Sequence, residues 1–182
     1  MKSYRLYTKI ALVSILTITA ISCKNTGDSS NKGEAHEDSQ KNANAKVSDM
    51  PEFRNNKAKE AFTYYIEIKN ALVDSDVEKV KEGAEKLSKV LPSTSLKKAT
   101  TEIMNTDDIE AQRHSFTTIT LLIDTIVKET IISGEIFKQY CPMAFDNKGG
   151  YWLSTEEKVM NPYFGDRMLH CGSVTDTIQK IK

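Results

Sequence analysis

Two short stretches of the chain each carry one thiol and one thioether: Cys141-Pro142-Met143 and Met168-Leu169-His170-Cys171. Thiolate and thioether are soft donors, and such donors select soft ions such as Cu(I) over Mg or Ca. Alternate residues of an extended strand share a face, so Cys141 and Met143 can point the same way. Met168 and Cys171, at i and i+3, share one face of a helical turn. Folding of the segment between them could bring all four sulfurs together. The spacing is not that of a zinc finger, whose cysteine pairs are separated by about two to four residues. His114 and His170 are extra candidate ligands, although a histidine on a helix is more often a surface or hydrogen-bonded residue.

Helices must supply the scaffold. Phe62, Tyr65, Ile66 and Leu72 fall near one face of a helix over roughly 53–73. After Asp74-Ser75-Asp76, a turn with its own N-cap, Val77, Val80, Ala84, Leu87 and Leu91 repeat at threes and fours until Pro92. Ser93 caps a short third helix holding Leu96, Ala99 and Ile103. A fourth starts near Thr106-Asp107-Asp108, acids that suit a positive N-terminal dipole, and runs to about Ile132. Phe116, Ile119, Ile123 and Ile126 stripe it, and Leu121, Leu122 and Val127 widen the stripe, which places this helix centrally. Beyond Gly134 the texture changes to a strand over Glu135–Cys141, a turn at Gly149-Gly150 and a strand at Tyr151-Trp152-Leu153. Asn161-Pro162 and Gly165 read as turns, and Trp152, Tyr163 and Phe164 as the aromatics that fasten this unit to the helices. The expected fold is mainly α: an antiparallel bundle of about four helices with a small C-terminal Cys/Met-containing unit of short strands and turns.

The first fifty residues differ in character. Lys2, Arg5 and Lys9 precede an apolar run from Ile10 to Ile21, too short for a bilayer, which needs about 20 apolar residues, but suited to a signal peptide. Ala20-Ile21-Ser22-Cys23 resembles the lipobox cleaved by bacterial lipoprotein signal peptidase. That resemblance implies a leader over 1–22, lipid on Cys23 and membrane attachment through it. An ordinary secretory signal is the alternative, and either places the protein in the cell envelope, lipid-anchored in the first case and facing periplasm or cell exterior. Residues 23–50 are polar and lack aromatics, a composition that cannot offset its ordering entropy and reads as a tether. The folded body is then 51–182.

Composition narrows the partners. The 182 residues hold 25 basic and 25 acidic side chains. With the leader's three bases set aside, 22 basic residues face 25 acidic ones, which argues against nucleic acid. The Lys-rich stretch Lys79–Lys89 alternates with Glu78, Glu82 and Glu85 and reads as a solvated helix face. No phosphate-cradling glycine loop or local nucleophile motif is present, so no enzyme is expected.

The chain has three cysteines. If Cys23 carries lipid, Cys141 and Cys171 remain, and in an oxidising compartment they could form a disulfide instead of binding metal. Closing a loop of about 30 residues would stabilise the fold by about 2–4 kcal/mol, reason enough for both cysteines, with Met143 and Met168 as gap-filling residues. Sulfurs about 2 Å apart would mark the disulfide, and about 3.5–4 Å a shared metal. Both readings stay open at this point.

Cys141-Pro142-Met143-Ala144, Gly150-Tyr151-Trp152-Leu153-Ser154 and the run from Asn161 to Gly172 resemble the signature of the bacterial domain-of-unknown-function family 3347. Upstream, Gln112-Arg113 followed by Phe116 resembles the family's helix. The family occurs in small exported proteins and at the ends of heavy-metal efflux adaptors. The resemblance implies copper or related metal handling, with Cys141, Met143, Met168 and Cys171 as the matching positions and an efflux adaptor as a partner. Two functions follow as expectations: an envelope lipoprotein holding Cu(I) for buffering or hand-over to efflux machinery, or a non-catalytic module stapled by a Cys141–Cys171 disulfide that docks on an envelope protein.

Overall fold

The computed structural model describes residues 50–91 and 93–180. The leader, Cys23 and all of the tether but Met50 lie outside them.

Helices α1 (Asn56–Val73), α2 (Val77–Val90), α3 (Thr94–Met104) and α4 (Ile109–Thr130) form the body. Each starts on a short polar side chain that accepts an otherwise orphan backbone N–H. Asn55 takes the proton of Ala58 N, Asp76 that of Lys79 N, Ser93 that of Leu96 N and Asp108 that of Glu110 N. The turn between α1 and α2 is made by Ser75 in the left-handed region, at φ 56°. Leu91, which precedes Pro92, leaves the helix for an extended backbone (φ −119°, ψ 107°), as crowding by the proline ring requires.

Helix α1 packs against α2 and α4, α2 against α3, and α3 against α4. Phe62, Tyr65, Ile68 and Leu72 of α1 meet Val80 and Leu87 of α2, Leu96 and Ile103 of α3, and Phe116, Ile119 and Ile123 of α4 in one buried cluster. The expected widening of the α4 stripe fails at Leu121, which is 66% exposed. It lies five residues on from Phe116, about 140° round the helix, on a flank that no other described element covers.

The fourth helix also stops two residues before the expected Ile132. Ile131–Ser133 is a strand, β2, antiparallel to β1 (Glu52–Phe53). After Gly134, β3 (Glu135–Cys141) is the centre of a three-stranded antiparallel sheet, with β4 (Gly150–Ser154) on one side and β5 (Ser173–Gln179) on the other. The hairpin register sets Cys141 opposite Gly150 and Tyr140 opposite Tyr151. The molecule is therefore mainly helical with small antiparallel sheets at its C-terminal end. Among the described residues no helix is long and apolar enough to cross a membrane.

Sheet and helices are joined from both ends. Tyr65 of α1 reaches β4, where its phenol oxygen accepts the amide proton of Leu153 (2.9 Å). Lys138 of β3 donates to the Asp124 carboxylate of α4 (3.1 Å). Trp152 and Tyr163 are buried, and the Tyr163 ring touches Phe116, Trp152 and Phe145 at centroid distances of 6.2, 5.9 and 4.9 Å. These aromatics fasten the C-terminal unit to α4, as their position in the sequence suggests.

Candidate functional site

Cys141 is the last residue of β3 and is buried; Cys171 ends the long loop that leads from β4 to β5 and is half-buried. Both are free thiols, and their Sγ atoms are 3.0 Å apart. This is longer than the roughly 2.05 Å of a disulfide bond and shorter than the separation expected for a shared metal. Contact with the Cys141 thiol, reinforced by burial, pushes the Cys171 thiol above its ordinary pKa. Cys171 therefore favours its protonated form at neutral pH, and a metal or an oxidant must displace that proton.

Two glycines let the loop approach. At Gly172 (φ 137°) a Cβ would stand 2.7 Å from Tyr140 O and 3.1 Å from a Trp152 ring carbon, so the loop closes onto the strand end that carries Cys141 only with glycine here. At Gly165 (φ 56°) a Cβ would stand 2.8 Å from Val73 O and 2.9 Å from the Arg113 guanidinium. Arg113, on α4 and 2% exposed, is the other anchor of the loop. It donates to Pro162 O (2.9 Å), Leu72 O (3.1 Å), Ser75 Oγ (2.9 Å) and the Glu110 carboxylate (2.7 Å). One planar guanidinium so ties the loop to the end of α1, the α1–α2 turn and α4.

The remaining candidate ligands are distributed unevenly. Met168 belongs to the same turn as Cys171, closed by donation from Cys171 N to Met168 O (3.0 Å). Met143, two residues past Cys141, is 46% exposed. It enters the turn Ala144–Asn147, where Phe145, Asp146 and Asn147 are all left-handed, at φ 53°, 57° and 64°. Three consecutive non-glycine residues in this region are unusual, and Phe145 is held there by ring contacts to Tyr163 and His114. His114 is exposed with its ring edge on Phe145 at 5.7 Å, and His170 is exposed with Nδ1 2.8 Å from Val159 O. Neither histidine joins the two thiols: among the described residues no three His, Cys, Asp or Glu side chains converge.

Residues 61–134 match the family described as Protein of unknown function (DUF3347).

This is the family that the sequence motifs resemble, but the matched stretch lies elsewhere than most of them. The DUF3347 match runs from Ala61 in α1 to Gly134 after β2, and so contains Gln112, Arg113 and Phe116. It ends before Cys141, leaving both thiols and the Asn161–Gly172 run outside the matched residues. No curated protein matches the chain, and no solved structure does. DUF3347 is a family of unknown function.

Sequence reasoning missed the roles of Asn161, Arg113 and Tyr65. Asn161 reads as turn chemistry, Arg113 as part of the Gln112-Arg113 and Phe116 pattern that resembles the family's helix, and Tyr65 as one more apolar stripe member. Only the fold shows that their polar atoms meet backbone groups 10, 49 and 88 residues away.

Proposed function

We propose that this protein is a non-catalytic envelope lipoprotein that holds one soft metal ion, Cu(I), between Cys141 and Cys171, to buffer it or pass it to efflux machinery such as a heavy-metal efflux adaptor. The observation that carries this reading is that two free thiols, brought from a strand end and a loop, meet side by side; their sulfurs, 3.0 Å apart, would have to spread to about 3.5–4 Å around an ion. A low-coordinate soft ion suits two thiolates, with Met168 and Met143 beside them in sequence as thioether donors. A tetrahedral zinc site needs more nitrogen or sulfur ligands than the two thiols supply, and His114 and His170 point to other partners. We read the four helices as one antiparallel bundle whose task is to hold the sheet and loop that present the pair.

The same proximity favours a second reading, in which oxidation joins Cys141 to Cys171 and the protein is an interaction module docking on an envelope partner. Anaerobic titration of the reduced protein with Cu(I) against a competing chelator separates the two. One equivalent bound by the native protein and lost in the Cys141→Ser, Cys171→Ser double variant supports the metal reading. Equal affinity in the double variant overturns it.

A further inference from the structure

We propose that Asn161 is the positioning residue of the thiol pair, setting the Cys141–Cys171 separation through its side-chain amide rather than merely turning the chain. The inference rests on the reading that this pair is the working site. Cys141 needs no such device, because the hairpin fixes it: β3 pairs with β4 as far as Cys141 opposite Gly150. Cys171 lies in no strand, between the 3-10 turn Gly165–Arg167 and β5. Its place depends on the loop.

Asn161 closes that loop with every polar group it has. Its backbone N–H donates to Leu169 O (2.8 Å) and its carbonyl accepts from Gly165 N (3.0 Å). Its Oδ1 accepts from Tyr163 N (2.8 Å), and its Nδ2 donates to Cys171 O (2.8 Å). The residue is fully buried, so none of these groups has water as a substitute. The contacts to Tyr163 N and Gly165 N shape the local turn, while those to Leu169 O and Cys171 O both span the loop, and of these two only the second is made by the side chain. The Nδ2 contact spans ten residues and ends on the carbonyl of the cysteine itself. On the other side of Asn161, the Arg113 guanidinium holds Pro162 O, so the amide that reaches Cys171 is itself fixed to α4. The line Arg113, Pro162, Asn161, Cys171 carries the rigidity of the family-matched helix to a thiol that lies outside the match.

The separation of two thiols is read by their exchange with glutathione. One disulfide of glutathione is reduced to two thiols while the Cys141 and Cys171 sulfurs form a bond; the two protons lost by the cysteines end on the two glutathione sulfurs. The equilibrium gives the effective concentration of one thiol at the other. It would be measured in the full chain carrying Cys23→Ser, so that a single pair is present. Loss of one buried hydrogen bond to the Cys171 carbonyl should lower it by about threefold to tenfold.

Asn161→Asp keeps an acceptor for Tyr163 N but faces Cys171 O with an oxygen. Asn161→Ser keeps a turn-forming hydroxyl too short to reach Cys171 O, and it carries the test if Asn161→Asp does not fold. Leu87→Ala, in the buried face of α2, is the control for general loss of stability. A fall in both Asn161 variants with no change in Leu87→Ala supports the proposal. Asn161 variants that match the native chain, or a Leu87→Ala shift of the same size, overturn it. Cu(I) titration of the same proteins is a separate readout, so a failed metal reading and a failed positioning role are told apart.

Discussion

The phenol of Tyr65 in α1 and the backbone amide of Leu153 in β4 meet at 2.9 Å in the centre of the molecule, 88 residues apart in sequence. The oxygen accepts the Leu153 proton and lies 3.0 Å from Thr120 Oγ1, to which its own proton is free to go. Tyr65 is fully buried, and burial pushes the phenol far above its ordinary pKa, so it stays neutral across the working range. Tyr65→Phe keeps the ring contacts with Phe62 and Phe116 and removes only the oxygen. It strands the Leu153 N–H without water, and an unsatisfied buried group costs about 1–3 kcal/mol. Urea unfolding should show that loss, and a variant as stable as the native protein would mean that the bridge contributes nothing.

A second consequence concerns Lys69, on the same helix and only 4% exposed. Burial holds its ammonium below the usual lysine range, with Glu156 and Asp74 opposing the shift. Since the unfolded chain binds this proton more tightly, stability should rise with pH from the depressed folded value up to lysine's ordinary range near 10.5. Lys69→Met should be more stable than the native protein at neutral pH by about 1 kcal/mol, because it removes a buried charge at similar volume. The gap should narrow as the pH approaches the lysine range. Urea midpoints at two pH values check this, and a gap that does not change with pH sinks it.

Position 83 turns an ordinary rule round. Alanine inside a helix is normally worth about 1 kcal/mol over glycine. At Gly83 of α2, however, a Cβ would stand 2.7 Å from Ile68 Cγ1 in α1, and Ile68 is fully buried. Gly83→Ala should therefore destabilise by about 1–3 kcal/mol through overpacking. Combining it with Ile68→Ala should cost less than the two single changes together, and simple additivity would argue against the clash.

The helices were legible because local rules decide them. Asp76, Ser93 and Asp108 are capping residues that stand where their side chains are needed, and the stripes of α2 and α3 have one apolar face each. The strand Glu135–Cys141 was equally plain. By contrast β5, Ser173–Gln179, has little apolar pattern, and only Ile178 is buried; it is a strand because β3 offers it a hydrogen-bonding edge. The same holds for β1, two residues long. In the site, sulfur type and position pointed to the thiol pair, whereas the histidines were drawn away by Phe145 and by Val159 O. No local pattern encodes which backbone carbonyl a buried Asn161 or Arg113 will reach. That depends on how the loop lies over the helices.

The thiol pair makes the last prediction. Cys141 and Cys171 are 30 residues apart in sequence and 3.0 Å apart at sulfur, so the native fold already holds the ends of a long loop together. Joining them restricts mainly the unfolded chain, and for a loop of this length the gain is about 2–4 kcal/mol where native geometry is undisturbed. Oxidised protein should therefore unfold at higher urea than reduced protein, with a shallower dependence on denaturant because the linked unfolded chain exposes less surface. Cys141→Ser should behave as the reduced form under both conditions. Equal midpoints for oxidised and reduced protein, with the bond verified by mass, would show that closing the bond strains the strand end or the Asn161 loop by as much as it restricts the unfolded chain.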